Sequence, residues 1–257
     1  MIHDADIKKE YESCESLLSI GSREELLSPF HAQIYCGVTS KMWKNQVYPA
    51  GCARHKLFFK THNIIPRYCF DCYKIEIRPR TVSELFKLLV VFKTIDLKDN
   101  NTRKCFLRPR KDIAVHYAGL IYFQSLIDAK KSLRSIKSLV AKEIAPEIPM
   151  FIKRGCTNFA KAHPDYAELG ENNRPVLKYK KKWKKIEDGF DNANLAGHLN
   201  TRKENTFPNV VAGPRTCLIM RTWLSYAKTI GDDSYLAITD SPIGLIPDLD
   251  PAPFNSD

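Results

Sequence analysis

YKIEIRPRTVSELFKLLVVF, residues Tyr73–Phe92, changes its hydrophobic period part-way along. Tyr73, Ile75 and Ile77 alternate with Lys74, Glu76 and Arg78, the period of two that marks a strand with one buried face. Pro79 then ends the ladder, because it has no N–H to give to a neighbouring strand. Thr81 stands three residues before Glu84, the spacing of a capping box. From there Leu85, Leu88, Leu89 and Phe92 recur on one face of a helix.

The same alternation of periods continues downstream. DLKDNN is a polar loop with turn chemistry. Lys104–Arg110 reads as a second strand and His116–Phe123 as a third, the most apolar of the set. Ser125 and Asp128 form a second capping pair, opening a helix to about Ala141 in which Leu126, Ala129, Leu133, Ile136 and Val140 are spaced as one face. Ile148–Lys153 is a fourth strand, ended by Gly155. The order β-α-β-β-α-β is that of the ferredoxin-like, split β-α-β arrangement, an α+β fold with a four-stranded antiparallel sheet and both helices on one face. Around it the chain divides into a helical extension over 1–50, a Cys/His knuckle plus the ferredoxin-like unit over 51–156, and a loop-rich basic region over 157–257. That region holds one packing helix, 216–230, and a disordered acidic tail. The spans 154–175 and 189–215 read as loops, and 4–19 as an amphipathic helix.

The period of two assigns faces to the strands. With Ile75 and Ile77 against the helices, Lys74, Glu76 and Arg78 point away, as do Phe106, Arg108, Arg110, Phe151 and Lys153. In the third strand we expect Ala118, Leu120 and Tyr122 inward, and Tyr117, Gly119 and Ile121 outward. The outer face then carries Lys74, Arg78, Arg108, Arg110 and Lys153 around Tyr117, Phe106 and Phe151. Cations interleaved with aromatics suit phosphate contact and base stacking; a solvated sheet face would show the same charges. YAGLIYF followed by SLIDAKKSL resembles the third strand and second helix of an RNA-recognition motif, through Tyr117, Ala118, Leu120 and Tyr122. Gly119 departs from that pattern, standing where a second stacking aromatic belongs. YKIEIR also lacks the aromatic usually exposed on the first strand.

A second chemical signal precedes the sheet. Cys52-Ala-Arg-His55 and Cys69-Phe-Asp-Cys72 are two-residue-spaced pairs thirteen residues apart. Zn²⁺ takes four ligands in a tetrahedron, and short hairpins supply them two at a time. Cys52, His55, Cys69 and Cys72 therefore form a candidate Cys₃His site, with Cys36 and His62 as spare ligands. Ordinary buried thiols are the alternative. Cys14, Cys105, Cys156 and Cys217 read as small core residues. A redox pair is disfavoured, since Cys69 and Cys72 run into a strand, not into a helix N-terminus.

The chain has 257 residues and a formal charge of +11, from 40 Lys and Arg against 29 Asp and Glu. That surplus suits a polyanionic partner. It is uneven: from Gly231 onward there are six Asp and no Lys or Arg. The densest basic run is VLKYKKKWKKIED, Val176–Asp188, where Lys181 and Trp183 are candidates for phosphate contact and stacking. The charged start and the lack of an apolar run near 20 residues point to a cytoplasmic protein with no membrane span. There is no GxxxxGK[ST], GxGxxG, HExxH or GxSxG, so the common NTPase, dinucleotide, zincin and serine-hydrolase readings fall away. Binding of RNA or single strands is the leading expectation. The alternatives are an enzyme holding a phosphorylated or carboxylated small molecule on the same cations, or a structural subunit of an assembly.

Overall fold

A computed structural model describes residues 1–19, 41–44, 52–109, 115–168, 175–194 and 214–240. Its elements are α1 (Asp4–Ser19), β1 (Lys41–Lys44), α2 (Cys52–His62), a 3₁₀ turn (Arg67–Asp71), β2 (Tyr73–Ile77), α3 (Val82–Thr94), β3 (Arg103–Leu107), β4 (Tyr117–Phe123), α4 (Leu126–Glu143) and β5 (Met150–Arg154). Then come α5 (Thr157–Ala162), α6 (Pro164–Ala167), α7 (Lys181–Asn194), α8 (Pro214–Ile230) and a 3₁₀ turn (Asp233–Ala237).

The strands form one antiparallel sheet in the order β1-β3-β4-β2-β5. Four of them come from residues 73–154, and each helix-bearing crossover skips one position in the sheet. β1 is a short edge strand on β3 that the sequence pattern does not announce. The capping pairs form as their spacing requires: the Thr81 hydroxyl accepts from the Glu84 N–H, and the Ser125 hydroxyl accepts from the Asp128 N–H. The α3 C-terminus is closed from within the core. Arg103 is 1% exposed and donates to the carbonyls of Phe92, Ile95 and Asn101. That places a cation where the helix dipole is negative.

The register corrects one expectation. Ile75 pairs with Ile121 and Ile77 with Gly119, while Lys74 pairs with Tyr122 and Glu76 with Leu120. Directly paired residues share a face, so Tyr117, Gly119, Ile121 and Phe123 point at the helices, and Ala118, Leu120 and Tyr122 point away. Tyr117 is therefore a core residue, 1% exposed, and no part of an outer face. Its hydroxyl donates to Asp232, which also accepts from the first N–H of α3 at Val82. Gly119 is explained by the same geometry. A β-carbon there would lie 2.5 Å from Leu88 Cδ2 and 3.1 Å from Phe92 Cζ, so glycine lets α3 approach the sheet. We expect Gly119→Ala to cost about 1–3 kcal/mol through overpacking, measured by denaturant unfolding, with Leu88→Ala partly relieving it.

The main core lies between this inner face and α1, α3, α4 and α8. Ile7, Tyr11, Cys14, Cys105, Cys217 and Trp223 are all buried in it, so three of the expected core thiols sit where hydrophobic pattern puts them. A second, smaller core forms beyond the end of β2 and β5, from Ile65, Cys69, Phe70, Phe159 and Tyr166, with Phe59, Cys156, Leu177, Tyr179 and Trp183 packed on it. Three readings change here. Residues 157–167 are helical, not loop; α7 runs on to Asn194; and Cys52 and His55 lie on a helix, not a hairpin. Residues 241–257, read as a disordered tail, lie outside the described residues, as do Cys36 and Arg110. Among the described residues no helix is long and apolar enough to cross a membrane.

Candidate functional site

The outer face of the sheet is organised by one carboxylate. Glu76 sits mid-strand on β2 and is 1% exposed. It accepts from Arg78 Nε at 2.7 Å and pairs with Lys153 Nζ at 2.6 Å and Arg108 Nη2 at 3.1 Å. Arg78 and Arg108 each extend their strand by one outward position, held by backbone bonds to Pro149 and His116. Arg108 spans β4 to reach Glu76, passing over outer positions occupied by Ala118 and Leu120. Burial alone would raise the Glu76 pKa. The hydrogen bonds from Lys153 and Arg78 and the charge of Arg108 outweigh it and hold the carboxyl down at about 2.

Aromatic rings frame these cations. The Arg78 guanidinium lies over Phe151 at 4.6 Å and that of Arg108 over Phe106 at 5.5 Å. Lys104 stands over Phe106 at 4.7 Å, and Lys74 over Tyr122 at 5.3 Å. Phe151 is 44% exposed and the Lys153 side chain 42%. Lys74 is different: it is buried, and its charge acts on the thiols of Cys52 and Cys72. Of the expected anion-binding residues, Arg78, Arg108 and Lys153 thus come together, Lys74 turns to another corner, and Tyr117 faces the core.

Lys181 and Trp183 lie elsewhere, on α7. Trp183 packs against Phe70 and Tyr179 in the second core, and Lys180 lies over its ring. Lys181, Lys182, Lys184 and Lys185 remain exposed on that helix. α7 is anchored by Glu187, which is buried and accepts from Arg54 of α2, the Arg67 N–H and the Tyr179 hydroxyl.

The Cys/His residues surround that anchor. His55 is buried and stacks on Tyr68 with ring centroids 5.3 Å apart. Burial, with the Arg54 charge beside it, lowers its pKa to about 4. Cys69 and Cys72 share the 3₁₀ turn, where the Cys72 N–H donates to the Cys69 carbonyl. Burial raises all three thiols of the expected set, Cys72 to about 11 and Cys69 further, and neighbouring thiols push the same way. Among the described residues no group of three or more His, Cys, Asp and Glu is arranged to hold a metal ion. His163 and Asp165 play structural parts: the His163 ring meets the Asn63 carbonyl, and the Asp165 carbonyl accepts from Leu177 N–H. Sequence reasoning passed over Glu76 as an organiser and Cys156 as a partner of the other thiols. Alternation placed Glu76 outward among cations, which was the available signal for it.

No known protein family, curated protein or solved structure matches this chain.

Proposed function

We propose that this protein binds RNA or single-stranded nucleic acid on the outer face of a ferredoxin-like sheet. The observation that carries the reading is the composition of that face: Arg78, Arg108 and Lys153 gather on a single buried carboxylate beside Phe106 and Phe151. One negative charge against three positive leaves a surplus for phosphate, and the exposed Phe151 ring offers a stacking platform. The cations are pre-positioned, so little side-chain entropy is lost when a phosphate arrives. The strand order supports the ferredoxin-like assignment, since the crossovers leave the two chain-terminal strands of the unit and its hairpin strands in the sequence that split β-α-β units share.

The test is fluorescence anisotropy of a labelled, unstructured oligonucleotide across a salt series. Affinity is expected to fall as salt rises, with a log–log slope near −0.7 per phosphate contacted. Phe151→Ala is expected to weaken binding by about 1–3 kcal/mol with little change in slope. Lys153→Gln is expected to make the slope shallower by about 0.7. Salt-independent affinity, or full affinity in Phe151→Ala, would overturn the reading. Stabilisation by a nucleotide or sugar phosphate but by no oligonucleotide would instead favour a small-molecule site on the same cations.

A further inference from the structure

Four cysteines from three separate parts of the chain meet at the second core. Cys69 and Cys72 lie on the 3₁₀ turn that leads into β2. Cys156 follows β5 directly and caps the N-terminus of α5, where its carbonyl accepts from the Phe159 and Ala160 N–H groups. Cys52 is the first residue of α2.

Their neighbourhood is fastened by independent contacts. The Gly155 N–H donates to the Cys72 carbonyl at 2.7 Å, so the chain enters Cys156 alongside the CxxC turn. The Tyr166 hydroxyl donates to the Cys69 carbonyl at 2.6 Å. Arg154 is buried and donates to the carbonyls of Phe70, Tyr166 and Leu177, tying the turn to the segment after Cys156. Cys69 and Cys156 accordingly pack in the same apolar cluster. On the other side Glu187 accepts from both Arg54 and the Arg67 N–H, which draws the first turn of α2 against the CxxC turn. Each thiol registers the others electrostatically: Cys69 feels Cys156, Cys72 and Cys52, and Cys52 and Cys72 both feel Cys156. The charges acting on His55 come instead from Arg54, Glu187 and Asp191.

We propose that Cys52, Cys69, Cys72 and Cys156 form a structural Zn²⁺ site of the four-thiolate type, with His55 outside the ligand set as the ring that braces Tyr68. A soft d¹⁰ ion suits four thiolates in a closed tetrahedron. The side chains do not converge on a common point in this arrangement; each sulfur sits one rotatable bond from its backbone, and four short χ1 turns bring them onto an ion. Binding displaces a proton from each thiol to solvent, with no change of oxidation state. Two of the ligands suit the charge they must carry, because Cys52 and Cys156 stand at helix N-termini beside free N–H groups. The dry apolar packing around Cys69 and the Arg154 staple would hold the turn in place once loaded.

This inference does not depend on nucleic-acid binding, and its test uses no oligonucleotide. The full chain, purified reduced and stripped with a chelator, is titrated with Zn²⁺ and its cysteines alkylated under native conditions, with each site read by peptide mass spectrometry. Zinc is expected to protect Cys52, Cys69, Cys72 and Cys156 together, leaving Cys105 as an unaffected internal reference. Co²⁺ substitution is expected to give thiolate-to-cobalt charge-transfer absorption of the strength of four sulfurs. Cys156→Ser is expected to weaken zinc binding by more than about 100-fold, the upper end of what losing an outer partner costs, whereas His55→Phe retains it. Unchanged alkylation of Cys156 on zinc addition to the unmutated chain would overturn the proposal without reference to any variant's folding. Zinc loss in His55→Phe with retention in Cys156→Ser would overturn it in favour of the Cys₃His set.

Discussion

Glu76→Gln lowers the stability of the fold by about 3 kcal/mol near neutral pH, and the loss shrinks as the solution is acidified. The magnitude follows from the carboxyl itself. Its pKa is held at about 2 in the folded protein, against about 4.3 in an unfolded chain, and each unit of difference is worth 1.36 kcal/mol, or about 3 kcal/mol in all. Glu76 is 1% exposed, so solvent screening does little to reduce this. The sign is that of a depressed acid: the stabilisation is fully present above about pH 4.3 and is lost as pH falls through the folded value near 2. Glutamine keeps the shape and removes the charge, leaving Arg78, Arg108 and Lys153 to repel one another over β4. Urea unfolding of both proteins at pH 7 and at pH 3 measures the effect. Equal stabilities at pH 7, or a gap that widens in acid, would show that the three cations are not held by this carboxylate.

The same residue explains how far the sequence could be read. The unit over 73–154 was legible because its strands and helices carry different periods and its caps are spelled out at Thr81 and Ser125. The facing of β2 and β5 was legible for the same reason. The facing of β4 was not: YAGLIYF is apolar at nearly every position, so period two gives no phase, and only pairing of Ile77 with Gly119 decides it. That single slip moved Tyr117 from a supposed stacking surface to the core. β1 was illegible because four residues, KMWK, are too short to show a period. The outer cations were identifiable as a set, yet their mutual arrangement on Glu76 depends on strand order, which brings β3, β4, β2 and β5 side by side from distant parts of the chain. Cys156 was missed as a partner of the CxxC turn because it lies 84 residues beyond Cys72 in a strand-like context. Nothing local marks it. It is the β2–β5 pairing, Tyr73 with Arg154, that carries it there.

That pairing also makes Gly155 the position least able to accept a side chain. Its φ is +54°, in the left-handed region, and a β-carbon there would overlap the phenol of Tyr166. Such an overlap is cheap where a flexible side chain can swing aside. Tyr166 cannot: it is fully buried, its hydroxyl is bonded to the Cys69 carbonyl, and the Arg154 guanidinium lies over its ring at 5.0 Å. Gly155→Ala therefore meets three costs at once: about 1–2 kcal/mol of left-handed strain, about 1–3 kcal/mol of overpacking, and about 1 kcal/mol for the displaced hydroxyl. We expect a loss of about 4 kcal/mol in denaturant unfolding. Gly231 supplies the control. It ends α8 at φ +78° with nothing near its missing β-carbon, so Gly231→Ala should cost only the strain, about 1–2 kcal/mol. In a Tyr166→Ala background the penalty of Gly155→Ala should drop to the Gly231 value, since the phenol is gone and the strain remains. If Gly155→Ala and Gly231→Ala cost the same in the unmutated chain, the packing of Tyr166 between the CxxC turn and β5 is looser than the geometry requires, and the second core does not clamp the two segments together.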